Sequence, residues 1–137
     1  MKNLFTILFS VVLLSIDLIA AIPVKVVIVS MFEYGADTGD LPGEFQFWVE
    51  RNDTQKIEAP LGSRDYYVSG DGLLIMCTGG GVTNAATSVT ALALDSRFDL
   101  SQAYWIVAGI AGVDPKDASL GSAAWAKWIV DADLAKE

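Results

Sequence analysis

The sequence predicts an α/β domain with a mixed, largely parallel sheet and flanking helices. Three apolar, partly β-branched runs favour this class, because each is typical of a strand buried on both faces: residues 24–30, 73–78 and 103–108. Between the second and third runs, apolar residues recur at helical spacing, which predicts a helix over residues 82–94. Strands that alternate with a helix are joined by right-handed crossovers, so these strands should be parallel.

Shorter segments complete the predicted fold. Residues 44–51 (EFQFWVER) predict a short helix or an aromatic-rich segment, and residues 57–59 and 66–69 predict short strands around a Pro-Leu-Gly-Ser turn. Residues 122–130 alternate in character and predict a further strand. We expect the four tryptophans, at positions 48, 105, 125 and 128, to lie in the core or at an interface rather than to form a stacking platform.

Residues 1–21 have the layout of a secretory signal peptide. A lysine precedes an uncharged stretch over residues 4–16, and the small residues Ala20 and Ala21 follow near a cut site. As a helix that stretch would span about 20 Å, less than the ~30 Å hydrocarbon core. Continuing to Ala21 would bury Asp17 at a cost of ~2.5–3.5 kcal/mol. We therefore expect a cleaved leader and an exported protein, periplasmic or extracellular. An uncleaved anchor or a buried core helix are the alternatives.

Composition excludes several classes of function. The net charge of −8 and the pI near 4.3 count against nucleic acid as a partner, since phosphates are bound by Lys and Arg. The chain has no histidine, which removes Ser-His-Asp and Cys-His catalysis and the usual zinc sites. Its one cysteine, Cys77, cannot form an internal disulfide and should be a buried small side chain. We expect neither a metal nor a cofactor.

Small or acidic residues follow each predicted parallel strand, and this is the main functional clue. Ligands of such sheets bind beyond the carboxyl ends of the strands, which share one edge. The three strand ends are Met31-Phe32-Glu33, Gly79-Gly80-Gly81 and Gly109-Ile110-Ala111-Gly112.

Each of these features has two interpretations. The glycine triplet either lets a ligand approach backbone N–H groups at a helix N-terminus, or makes a tight turn that needs positive φ. Thr83 and Asn84, in the first helical turn, are either caps or ligand contacts. The segment after the third strand could face a flat ring or a sugar, or merely turn the chain. Glu33 is either an acid–base group in the crevice or a solvated carboxylate.

Three segments carry a resemblance to a known family: VKVVIVSMFEYG, PGEFQFWVER and the run from CTGGGVTNAATS to WIVDADL. Together they resemble the purine nucleoside permease family over nearly all of the chain after the leader, most specifically over residues 98–133. That family is itself similar to nucleoside phosphorylases and nucleosidases. The resemblance implies that residues 22–137 are the N-terminal part of a nucleoside phosphorylase-like fold, incomplete at the C-terminus, because known members are longer.

The resemblance also implies roles for particular residues. Thr78, Gly79, Gly80 and Gly81 match the turn that approaches the ribose or the attacking group. Ala108, Gly109, Ile110, Ala111 and Gly112 match the segment that lines the sugar and base. Glu33 falls near the carboxylate with which nucleosidases orient water.

The resemblance implies binding of a purine nucleoside for transport across the membrane, with a membrane transport partner and homo-oligomer formation. Whether the chain is an enzyme stays open. The alternative is cleavage of the glycosidic bond. Hydrolysis is favoured over phosphorolysis, because no arginine lies near residues 34–37 or next to the glycine triplet. A third interpretation is a folding fragment with an exposed apolar sheet face.

Overall fold

The computed structural model describes residues 20–130, so the predicted leader lies outside the described residues except for Ala20 and Ala21. The strands and helices, in chain order, are β1 Ile22–Pro23, β2 Val26–Ser30, α1 Gln46–Glu50, β3 Thr54–Ile57, β4 Tyr66–Ser69, β5 Leu73–Cys77, α2 Val82–Ala93, β6 Phe98–Asp99 and β7 Tyr104–Val107.

The main sheet has five strands in the order β3-β4-β5-β2-β7. β2 is central and pairs in parallel with β5 on one side and with β7 on the other. The β3–β4 and β4–β5 pairs are antiparallel, and β1 pairs in parallel with β6 in a separate two-stranded sheet. The predicted α/β class with a mixed sheet is confirmed, but only half of the pairings in the main sheet are parallel.

The apolar strands are buried because the sheet is covered on both faces. Alternate residues of each strand point to opposite faces. On one face Val27 and Leu74 join a core cluster that includes Leu92 of α2. On the other face Ile28 and Ile75 join a second cluster that α1 completes with Val49. The two helices therefore lie on opposite sides of the sheet. β2 and β5 are apolar at every position except Ser30, whose buried hydroxyl donates to the carbonyl of Met76 at 3.1 Å.

The strands and helices predicted up to residue 108 are confirmed, with ends that differ by a few residues. The three parallel strands, the long helix and the 66–69 strand are all present, while the strand predicted at residues 57–59 is observed as β3, earlier in the chain. Residues 44–51 contain the short helix α1. Cys77 is buried as expected.

The prediction of a strand at residues 122–130 is wrong. Residues 122–130 are not a strand in the structure: Trp125, Trp128 and Ile129 are exposed there. Alternation of polar and apolar residues does not by itself make a strand, because the backbone N–H and C=O groups also need an adjacent strand for hydrogen bonds. The core interpretation of the tryptophans is also wrong, since all four side chains are at least about one-third exposed. A position at an interface stays a prediction.

The β7 edge of the main sheet is apolar. Among residues 20–130, β7 is the last strand on its side of the sheet, and Tyr104, Trp105 and Val107 expose much of their surface. Exposed apolar strand edges of this kind are surfaces that another segment or another chain can cover.

Candidate functional site

The three predicted strand ends meet at the carboxyl rim of the sheet. β2 stands in register with both parallel neighbours, so the strands finish at the same level. Beyond the strands, the N–H of Thr78 donates to the carbonyl of Ser30 at 2.8 Å, and the N–H of Ala108 donates to the carbonyl of Val29 at 2.8 Å. The segments that follow therefore leave the sheet side by side, where ligands of such sheets bind.

Glu33 is buried at this rim, with only 9% of its surface exposed. One carboxylate oxygen accepts hydrogen bonds from the N–H groups of Tyr34, at 2.9 Å, and Gly43. The other accepts from Phe45, at 2.9 Å, and Gln46, at 2.5 Å. The solvated-carboxylate interpretation is therefore wrong. Acid–base work by Glu33 stays a prediction.

The bonds of Glu33 explain how a five-residue helix is held in place. The first N–H groups of any helix lack partners within the helix, and the N-cap of α1 makes no side-chain hydrogen bond. Glu33 supplies the missing acceptor from the end of β2, with a charge that suits a helix N-terminus. Gly43 is needed for this approach, because a Cβ there would lie 2.9 Å from the Glu33 carboxylate.

Glu44 connects the ends of two adjacent strands. Its carboxylate accepts hydrogen bonds from the N–H of Met31, after β2, and the N–H of Ile110, after β7, both at 2.9 Å. Gly109 allows this close approach: a Cβ there would lie 3.2 Å from Glu44 Oε1 and 2.6 Å from the Met31 methyl group. The sequence prediction missed Glu44. A carboxylate immediately before a helix was the available signal.

A cleft of about 520 Å³ opens between α1 and the end of β7. This volume falls in the range of small-molecule sites, ~300–1,000 Å³. Its walls are formed by Pro42, Gly43, Glu44, Phe47, Trp48, Arg51, Asn52, Ala108, Gly109 and Ile110. Three predicted ligand-binding residues, Ala108, Gly109 and Ile110, therefore line a cavity.

The α1 wall of the cleft is aromatic and cationic. Phe47 and Trp48 are part-exposed, and the guanidinium carbon of Arg51 lies 4.5 Å from the centre of the Phe47 ring. The sequence prediction did not assign these side chains to a site. Positions 47 and 51 are four residues apart and hence neighbours on a helix face, which was the signal that could have identified them.

The glycine triplet lies at the same rim but outside the walls of this cleft. Gly79 and Gly81 have φ of +77° and +92°, so the tight-turn interpretation is confirmed. Gly79 is also closely packed, since a Cβ there would lie 2.7 Å from Ser63 Oγ. Gly80 has open space around it. Thr78 is buried, and its hydroxyl donates to the carbonyl of Gly79 at 3.0 Å.

The capping interpretation of Thr83 and Asn84 is wrong. The N-cap of α2 is Gly81, with no side-chain cap hydrogen bond. A cap has to precede the free N–H groups, whereas both residues lie inside the first turn. Asn84 instead donates its side-chain amide to the carbonyl of Gly80 at 2.7 Å. Both side chains are exposed at the rim.

An arginine does lie beside residues 34–37, contrary to the sequence prediction. Arg64 pairs with Asp37 at 2.6 Å and donates to backbone carbonyls of that loop, at 3.0 Å for Gly35. The antiparallel β4 brings the turn before it to the carboxyl rim, so a residue remote in sequence becomes a neighbour. Asp37 also accepts from the Tyr67 hydroxyl at 2.9 Å; burial, and then this bond, raise the pKa of Tyr67. The network fixes the loop at the rim.

Beyond the cleft, Ala111 and Gly112 are exposed, and a Cβ at Gly112 would meet nothing within 4 Å. Within residues 20–130 no group of three or more acidic, cysteine or histidine side chains is placed to hold a metal ion.

Comparison with known proteins agrees with the quoted motifs. The family model for purine nucleoside permease (NUP) matches residues 23–137. The chain belongs to the purine nucleoside permease family. A protein named probable purine nucleoside permease from Schizosaccharomyces pombe is 49% identical over 59 residues, which are 43% of this chain. A purine nucleoside permease of Candida albicans is 44% identical over 57 residues, 42% of this chain.

These permeases are much longer than the segment they share with this chain. The matched residues cover 17% of the Schizosaccharomyces pombe permease and 14% of the Candida albicans permease. No solved structure matches the chain. Across residues 20–130, none of the helices is both long and apolar enough to cross a membrane.

In this permease-family chain, the cleft can recognise a ligand that combines a flat face with polar groups. The aromatic side chains offer a surface for stacking. A carboxylate has about four acceptor positions, and backbone N–H groups use two of those of Glu44, so this side chain can still accept hydrogen bonds.

Proposed function

We propose that the cleft between α1 and the end of β7 binds a nucleoside, and that this binding serves nucleoside transport across a membrane. The observation that carries the proposal is the meeting of an aromatic wall, at Phe47 and Trp48, with a small-residue wall at Gly109. Family membership supports the transport role. By the names of the relatives, the substrate is a purine nucleoside.

The chemistry of a nucleoside suits the two walls. The base is planar and stacks on an aromatic ring, a contact worth ~1–3 kcal/mol per base. The ribose hydroxyls are donors, and Glu44 offers free acceptor positions between the walls. Gly109 leaves space for the ligand to approach the backbone. We place the base against α1 and the ribose towards Glu44.

The remaining parts of the proposal concern the whole protein. We propose that residues 1–21 are a cleaved leader that exports the chain, and that residues 22–137 are the N-terminal part of the permease domain, with a nucleoside phosphorylase-like fold. A mixed sheet with a parallel centre and helices on both faces supports this fold. A membrane transport partner takes up the bound nucleoside, and the chain forms homo-oligomers.

Calorimetric titration of the chain with inosine and adenosine tests the proposed site. We expect a dissociation constant in the micromolar range. Trp48→Ala removes the stacking surface and should weaken binding about fivefold or more, since stacking contributes ~1 kcal/mol at least. Trp128→Ala is the matched control: Trp128 is 79% exposed and lies outside the cleft. Equal effects of the two substitutions, or no binding by the unaltered chain, would contradict the proposal.

The same samples separate binding from cleavage. Incubation with inosine, with and without phosphate, should release no free base if the chain only binds. Base released under either condition would favour the cleaving alternative, and dependence on phosphate would identify phosphorolysis.

The glycine triplet has its own test at Gly80. Alanine there meets no neighbour and needs no positive φ, so the free energy of unfolding should stay within ~0.5 kcal/mol or rise slightly. If the triplet contacts the nucleoside, as its match to the family implies, Gly80→Ala weakens binding measured by the same titration. Unchanged affinity would exclude the triplet from the site. Gly79 and Gly81 are unsuitable, because their positive φ strains any substitution.

A further inference from the structure

Asn52-Asp53-Thr54 has the Asn-x-Ser/Thr pattern that accepts N-linked glycans on exposed turns of secreted proteins. The other two asparagines of the chain, Asn3 and Asn84, are not followed by serine or threonine at the required position. We propose that Asn52 carries an N-linked glycan beside the mouth of the nucleoside cleft. The inference rests on the proposed export, because the modification takes place in the secretory pathway.

The structure places this pattern where an acceptor is accessible. Asn52 follows α1 directly, Asp53 is exposed, and Thr54 begins β3, an edge strand of the main sheet. The turn between helix and strand therefore lies at the surface. Asn52 is partly exposed and belongs to the wall of the cleft.

The acceptor nitrogen can be modified without loss of its contact. Asn52 Nδ2 donates to the carbonyl of Trp48 at 2.7 Å. An amide nitrogen has two hydrogens, so one can remain in this bond after the other is replaced. The donor is an oligosaccharide on a polyprenyl diphosphate. A bond forms between Nδ2 and the anomeric carbon, the carbon–oxygen bond to the diphosphate breaks, the diphosphate leaves with the electron pair, and Nδ2 loses one proton.

A glycan at Asn52 would lie next to exposed aromatic side chains. Trp48 and Asn52 are four residues apart on the chain, and Phe47 and Trp48 expose aromatic surface next to the turn. A hydrated glycan at Asn52 would border the mouth of the cleft and keep the exported protein soluble.

Expression of the chain with its own N-terminus in yeast tests the proposal. We expect the secreted protein to run as a slower band that an endoglycosidase converts to the unmodified mobility, and peptide mass spectrometry to locate the change at residue 52. Thr54→Ser keeps the acceptor pattern and should keep the slower band, whereas Thr54→Val removes the pattern at similar size and should abolish it.

Absence of the shift in the unaltered chain, retention of it in Thr54→Val, or failure of the chain to enter the secretory pathway would each overturn the proposal. Nucleoside binding is measured separately on bacterially made, unglycosylated protein. A failure of the glycan proposal and a failure of the nucleoside proposal are therefore distinguishable.

Discussion

Glu33→Ala is expected to lower the free energy of unfolding by about 3–4 kcal/mol. The substitution removes a buried charged acceptor that serves four backbone N–H groups, in the rim loop and at the start of α1. Hydrogen bonds to charged groups contribute ~1.5–3 kcal/mol, and a buried donor left without a partner costs ~1–3 kcal/mol. Urea denaturation followed by circular dichroism measures the change.

Two further variants give this prediction its control. Glu58→Ala removes an exposed carboxylate and should change stability by no more than ~0.5 kcal/mol. Glu33→Gln keeps one carbonyl oxygen but replaces the other oxygen with an amide donor that faces N–H groups. Its loss of stability should therefore lie between those of Glu33→Ala and Glu58→Ala. If Glu33→Ala were as harmless as Glu58→Ala, the four hydrogen bonds would not stabilise the rim.

The central strands were predictable because their pattern is local. Val26–Ser30 and Leu73–Cys77 are apolar on both faces, which is the pattern of a covered parallel strand, and α2 shows helical spacing over its whole length. The order of these elements then places their carboxyl ends at one rim. The meeting of the strand ends at one rim therefore followed from the sequence. Their role in ligand binding stays a prediction.

The contacts between distant segments were not predictable from local patterns. Arg64 reaches the loop after β2 only because β4 runs antiparallel, and no spacing in the sequence shows that direction. The burial of Glu33 depends likewise on a loop that folds back over it. Residues 122–130 show the reverse case: their alternation is local, but the structure provides no ladder for them.

The candidate site was therefore half predictable. Gly109 and Ile110 follow a recognisable strand, and their small-residue signal identified one wall. The other wall required knowledge that Glu44 and Ile110, far apart in sequence, share a hydrogen bond. That hydrogen bond holds the segment before α1 beside the end of β7, so the side chains of α1 line the cleft.

Gly109→Ala tests whether this contact shapes the site. The new methyl group would lie 3.2 Å from Glu44 Oε1 and 2.6 Å from the Met31 methyl group, so both side chains have to move. We expect a loss of about 1 kcal/mol in the free energy of unfolding, because Gly109 is exposed and the main cost is a weakened hydrogen bond from Ile110 to the displaced Glu44. Nucleoside affinity should fall about tenfold or more, or ~1.4 kcal/mol, because the alanine displaces Glu44 and narrows the cleft.

Gly70→Ala is the matched control, because a Cβ at Gly70 meets nothing within 4 Å and Gly70 lies outside the cleft. It should leave both stability and affinity nearly unchanged. A Gly109→Ala chain that binds nucleosides as tightly as Gly70→Ala would show that the ligand does not use the space beside Glu44. Lower affinity with little loss of stability would instead place the ligand directly against Gly109, since the strain would then arise only in the complex.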